Sequence, residues 1–177
     1  QANQLWVSDI TYVRVGWKFG YLSLVTDAYS RKIVGYHLSR DLATLGCLKA
    51  LRMALRNNPD RDGLIHHSNR GTQYCSAAYV KQLGPTRISM SEAGDPLENA
   101  IAERVNGILK DELLRKGFVN FSHARFCIDE AVSTYNHHRP HLSIEMLTPA
   151  EAHTRTGTLK RKWKNYFSAR PIAQASA

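Results

Sequence analysis

At 177 residues the chain is expected to form one domain with a short appended tail. An apolar content of 43% allows a sizeable core, yet no apolar run reaches the roughly 18 residues of a membrane-spanning helix. The net charge of +9 points to a polyanionic partner, nucleic acid being the commonest, although a merely soluble basic protein has the same composition. Cys47, Cys75 and Cys127 are odd in number and widely spaced. That argues against a disulfide framework or a structural zinc site and suits a reducing, cytoplasmic setting. No signal-peptide pattern opens the chain. It starts at Gln1 rather than Met, so the expectation is a piece excised from something longer.

The first forty residues read as an antiparallel meander. Leu5 to Val15 is apolar on both faces, as a central strand should be. Gly16 to Gly20 reads as a turn, followed by strands over Tyr21 to Thr26 and Lys32 to Leu38. Leu45, Leu48, Leu51 and Leu55 then form one stripe of an amphipathic helix ending near Asn57-Asn58-Pro59. Gly63 to His67 reads as a short buried strand, Ala77 to Leu83 as a helix and Arg87 to Met90 as a strand. From Asp95 the chain is mostly helical. Ile101, Val105, Ile108 and Glu112 mark one face of a helix from Glu98 to Arg115, and a second helix spans His123 to Asn136. Thr148-Pro149-Ala150-Glu151 has the form of a capping box. The order predicts an α/β domain over 1–155 with a mixed sheet, then a basic C-terminal tail, 156–177, partly disordered.

Three places carry candidate chemistry. Asp9 sets a carboxylate inside an apolar strand, where it must be hydrogen-bonded or bound to a cation. A hydrogen bond to Thr11 or to nearby backbone explains it as well as a cation does. The stretch His66-His67-Ser68-Asn69-Arg70-Gly71 lies where a strand gives way to a glycine-containing loop, a usual position for site residues in α/β sheets. Adjacent strand histidines face opposite ways, so His66 and His67 are not expected to share a metal. Glu103 lies opposite the Ile101–Ile108 stripe with Asn99, Asn106 and Lys110 at helical spacing. A solvated polar face is the default there, but these donors also suit phosphates and base edges. Asp27 reads as a turn cap or a partner for Arg31. Cys75 reads as a packed thiol. His137, His138 and His141 flank Arg139-Pro140, where a helix must end, so they make a poor zinc pair.

These places lie within five motifs: W-V-S-D-I-T-Y-V at Trp6 to Val13, D-A-Y-S-R-K-I-V-G-Y at Asp27 to Tyr36, H-H-S-N-R-G-T-Q-Y-C-S at His66 to Ser76, G-D-P-L-E-N-A-I-A-E-R-V-N-G-I-L-K-D-E at Gly94 to Glu112, and Y-N-x-x-R-P-H at Tyr135 to His141. In this order they resemble the integrase core of bacterial insertion-sequence transposases of the OrfB type, relatives of retroviral integrases. The resemblance runs from Trp6 to His153 and implies an RNase H-like fold, a mixed five-stranded sheet flanked by helices. It also implies three carboxylates holding two Mg²⁺ ions, with Mn²⁺ as a substitute. Asp9 matches the first and Glu103 the third, while Asn69 stands where the family has the second Asp. Between Asn69 and Glu103 lie 33 residues, slightly fewer than the family spacing, and the shortage is expected near Leu83-Gly84-Pro85.

The implied activity is cleavage at element ends followed by strand transfer to target DNA, with Arg70, Asn99, Asn106 and Lys110 on the DNA. A homo-oligomer is implied, with end recognition supplied by a helix-turn-helix region or partner chain outside this sequence. Asn69 keeps a carbonyl oxygen but lacks charge, so activity is expected to be weak or absent. It is either a natural loss or a deliberate substitution, unless Asp95 or Glu98 supplies the missing charge. A catalytically silent DNA-binding domain is the alternative, and a nuclease acting on RNA–DNA hybrids is a more remote one.

Overall fold

The computed structural model describes residues 1–60, 62–91, 100–114 and 117–162. Strands β1 (Leu5–Val15), β2 (Lys18–Asp27) and β3 (Ile33–Ser39) form the antiparallel meander. The first turn is tighter than the glycines suggest: Val15 pairs with Lys18, so only Gly16 and Trp17 lie outside the ladder. Gly16 takes a φ of +55°, the positive value a two-residue hairpin needs at its first position. Gly20 then pairs with Val13 inside β2.

Helix α1 (Thr44–Asn57) leads to β4 (Ile65–Ser68), two short helices α2 (Thr72–Cys75) and α3 (Ala77–Leu83), and strand β5 (Arg87–Met90). The Ser76 hydroxyl accepts from the Tyr79 amide to start α3. The sheet order is β3-β2-β1-β4-β5, with β4 parallel to both β1 and β5. This is the expected mixed sheet, and β1 is its central strand.

Helix α4 (Ala100–Ile108) runs into a π-helical turn (Leu109–Leu113), closed by the Leu114 amide on the Leu109 carbonyl at 2.8 Å. Helices α5 (Phe121–His137) and α6 (Pro149–His153) follow, and Thr148 and Glu151 make the expected capping box. Of the expected tail, the residues up to Lys162 are tied down: the Lys162 amide reaches the Leu142 carbonyl at 2.8 Å, and Tyr29 reaches the Gly157 carbonyl at 2.9 Å.

Two layers of helix cover the sheet. On one face, Trp6, Val25 and Val34 pack against Ala50 and Ala54 of α1. On the other, Val13, Leu22, Leu24 and Leu38 pack against Val105 and Ile108 of α4 and Ile128, Val132 and Tyr135 of α5. The leucine stripe expected on α1 is only partly the buried one: Leu48 and Leu51 are buried, but Leu45 is 52% exposed. The buried face is Gly46, Cys47, Leu48, Ala50, Leu51 and Ala54, with small residues where the helix rides close to β3. A Cβ on Gly35 would sit 2.2 Å from the Ala50 carbonyl oxygen. Gly35→Ala is therefore expected to cost about 1–3 kcal/mol, the usual cost of overpacking a tight core. A urea midpoint that falls with unchanged slope would show it; an unmoved midpoint would mean that α1 has room to lift.

Candidate active site

Asp9 lies midway along β1, and its Cα partner on β2 is Leu24, a member of the α4–α5 core. Its side chain therefore faces α4. Ser8 pairs with Ser68 across the parallel β1–β4 ladder, so Asp9 and Asn69 each follow a paired serine on adjacent strands. Neighbouring strands run about 4.8 Å apart, so this register carries the backbone at Asn69 off the sheet beside Asp9.

The third position of the expected triad comes from α4. Asn106, one helical turn beyond Glu103, is buried and donates its amide to Asp9 Oδ2 at 2.7 Å, which fixes α4 over the middle of β1. Burial pushes the Asp9 carboxyl above its ordinary value of 3.8, a backbone hydrogen bond at Ile10 pulls it down, the Glu103 charge pushes it up again, and the Asn106 amide opposes that. Glu103 is itself exposed.

Asn69 is exposed, and its Oδ1 accepts from the Gly71 amide at 2.9 Å, an Asx turn that starts the loop. The one oxygen it could offer a cation therefore already carries one hydrogen bond. Among the described residues no three Asp, Glu, His or Cys side chains converge as a metal set. Asp9 and Glu103 are hard oxygen donors whose mutual repulsion and burial a divalent cation would relieve, so they fit one such ion. A second ion would have one carboxylate too few.

Below the site, His66 is buried, with Nε2 2.8 Å from Ser8 Oγ and 3.0 Å from the Tyr79 hydroxyl. His67 points the other way, to Ser89 Oγ at 2.9 Å, so the histidines diverge as the strand period requires. Asp27 caps its turn: it is fully buried and accepts from the Ser30 amide and hydroxyl at 2.8 and 2.7 Å.

Of the residues expected on DNA, Arg70 and Lys110 are exposed, whereas Asn106 turns inward onto Asp9. Helical spacing placed Asn106 with Glu103 and Lys110 but could not tell which of the three the sheet would cover. Asn99, Asp95 and Glu98 lie outside the described residues. Cys75, expected as a packed thiol, is exposed, with Sγ 3.8 Å from Met90 Sδ. Sequence reading missed a clamp between the last two motifs: Arg139 bonds Glu112 bidentately, Nε to Oε2 and Nη2 to Oε1, both at 2.8 Å.

Residues 1–96 match one integrase core domain family and residues 85–149 a second of the same description. The chain belongs to the integrase core domain family. It is 35% identical over 156 residues to the transposase for insertion sequence element IS629 of Shigella sonnei, covering 86% of this chain and 52% of that protein. It is 36% identical over 154 residues to the transposase InsF for insertion sequence IS3A of Escherichia coli K12, covering 84% and 53%. The chain thus spans about half the length of these curated relatives. Among solved structures, the HTLV-2 integrase catalytic core domain in complex with magnesium superposes with a TM-score of 0.67 at 16% identity, covering 85% of this chain and 96% of that one. A simian T-cell lymphotropic virus intasome chain gives 0.74 at 17%, covering 98% and 60%. The fold is RNase H-like.

Proposed function

We propose that this chain is the catalytic core of an insertion-element transposase, built for metal-dependent phosphodiester cleavage and strand transfer and impaired by Asn69. The observation that carries the reading is Asp9 at the middle of the sheet, bonded by Asn106 of α4 and within reach of the Glu103 charge. Insertion-element transposases are the relatives this chain matches over most of its length.

Asp9 and Glu103 would hold Mg²⁺, and Asn69 would offer a second ion only a neutral oxygen. When bound, the metal supplies Lewis-acid activation of the attacking water or 3′-hydroxyl and stabilises the leaving 3′-oxygen. Asn106 aims the Asp9 carboxylate and favours its charged form by donating to Oδ2. Arg70 and Lys110, both exposed, would contact phosphates around the cleft. By analogy with the HTLV-2 core, which is described in dimeric and trimeric forms, the chain would act as a homo-oligomer. A catalytically silent DNA-binding domain is the second reading, favoured by the engagement of Asn69 Oδ1 with Gly71.

Cleavage of labelled element-end DNA in Mg²⁺ or Mn²⁺, by this chain and by Asn69→Asp, tests the assignment. Cleavage by the Asp form that is lost on adding Asp9→Asn supports it; cleavage that survives Asp9→Asn sinks it. For the phosphate contacts, duplex affinity should fall steeply with salt. Arg70→Ala and Lys110→Ala should each reduce the slope of log K against log salt by about 1. An unchanged slope would remove that residue from the interface.

A further inference from the structure

Beside α4, on the flank that carries Ile101, Arg104 and Ile108, lies a cavity of about 650 Å³. Arg31 from the β2–β3 turn, Arg104 from α4 and Arg139 from the segment after α5 all line it. The Tyr135 side chain, 0% exposed, also lines it, and its hydroxyl has no hydrogen-bond partner among the described residues. A buried phenol is normally bonded, so an orphaned one facing a cavity marks a place for a ligand atom.

All three arginines lie within electrostatic reach of that hydroxyl. Burial pushes the Tyr135 pKa up, while Arg139, Arg31 and Arg104 all pull it down. The same three push the neighbouring His141 down, after burial, to about 4. The His141 ring stands edge-on to Tyr135 with centroids 4.9 Å apart. Of the three, Arg139 makes an ion pair, with Glu112. Arg31 holds a left-handed backbone, φ +65°, and donates to the Ala28 carbonyl. Such a conformation costs a non-glycine residue on the order of 1 kcal/mol and persists where surrounding structure over-determines it. Beside His141 and Ser143, the rest of the wall is apolar, including Ile101, Ile108 and the half-exposed Leu142 and Met146.

A cationic floor under apolar walls suits an anion on a flat, largely apolar body. Arg139 spends Nε and Nη2 on Glu112, so Arg31 and Arg104 are the guanidinium groups left to meet a phosphate, and the volume lies within the range of small-ligand sites. We propose that this cavity is a nucleotide site: a phosphate bound by Arg31 and Arg104 with the Tyr135 hydroxyl donating to it, and the nucleoside against Ile101, Leu142 and Met146. The site is separate from the Asp9–Glu103 cleft and does not depend on turnover there. The shared chemistry is a terminal nucleoside phosphate, whether free or at the end of a DNA strand.

The test is calorimetric titration of the full chain in EDTA, which removes any metal-bridged binding. Thymidine 5′-monophosphate should bind, and thymidine at least about tenfold more weakly, because the phosphate contacts are charge-assisted. Arg104→Gln, at an exposed position, should cost about tenfold, and Tyr135→Phe, which keeps the ring, a smaller but measurable factor. Melting temperatures close to that of the unaltered chain would show that both variants are folded. A 5′-phosphorylated oligothymidine that binds with the same Arg104 dependence identifies a strand end as the source; binding of the mononucleotide alone identifies a free nucleotide. Equal affinity for thymidine and its phosphate, indifference to Arg104→Gln, or inorganic phosphate binding as tightly as the nucleotide would each overturn the proposal.

Discussion

Replacing Asn69 by Asp should raise Mg²⁺-dependent strand cleavage by about 10²–10³-fold, the usual worth of one preorganised catalytic group. The substitution keeps shape and changes charge. One carboxylate oxygen can keep the 2.9 Å bond to the Gly71 amide, and the other is then free where Asn carries an amide nitrogen. Without metal the new charge is a burden. It would join Asp9, which burial and Glu103 already hold above the ordinary aspartate pKa. The Asn69→Asp form should therefore melt lower than the present chain in EDTA and gain more on adding Mg²⁺ or Mn²⁺, since a ligand stabilises the state that binds it. That melting difference can be read even if neither protein cleaves. Identical melting responses to metal in the two forms would mean that position 69 does not hold an ion.

The second large effect is acid sensitivity. His66 is 1% exposed, and burial, then the neighbouring His67, pushes its pKa from 6.5 down to about 4. The unfolded chain takes up this proton first. The stability His66 contributes is thus fully present above about pH 6.5 and lost as pH falls toward 4, on the order of 3 kcal/mol in total. His141 acts in the same direction over the same window, driven by burial and then by Arg139, Arg31 and Arg104. Asp9, whose pKa is raised, opposes them slightly, because protonation relieves it in the fold. Urea midpoints at pH 7 and pH 4.5 measure the sum, and His66→Gln isolates the largest part. A variant whose midpoint falls with acid as steeply as that of the unaltered chain would show that His66 is not the group responsible.

Much of the architecture was legible because local pattern and tertiary demand agree there. The eleven-residue run of β1 is apolar on both faces and lies at the centre of the sheet, as such runs do. Helix α3 and strand β5 have the expected bounds because Ser76 caps the one and Gly84 ends it before the other. Periodicity was only half right on α1: Leu48 and Leu51 are buried, but Leu45 is not, and the close approach to Gly35 is made by Ala50 and Ala54. The short α2 carries too little pattern to stand out from a loop. At the proposed site, Asp9, position 69 and Glu103 were suggested by the family motifs, while the inward turn of Asn106 depends on which side of α4 meets the sheet. The arginine cavity was invisible in sequence, since Arg31, Arg104 and Arg139 come from three separate segments.

The π-helical turn at Leu109–Leu113 resets the phase of the helix that carries Glu103. Each helical residue advances by about 100°, so one extra residue in a turn rotates everything beyond it by that amount. Continued without the reset, the Ile101–Val105–Ile108 row would carry Glu112 along the core face; as built, Glu112 is exposed and clasped by Arg139. The segment from Ala100 to Leu113 therefore works as two surfaces geared by a single residue, the first meshed with the sheet and the second with the chain after α5. Along it a one-residue deletion would be felt as a rotation. Length there is as constrained as composition, and gaps should be rarer in this stretch than substitutions.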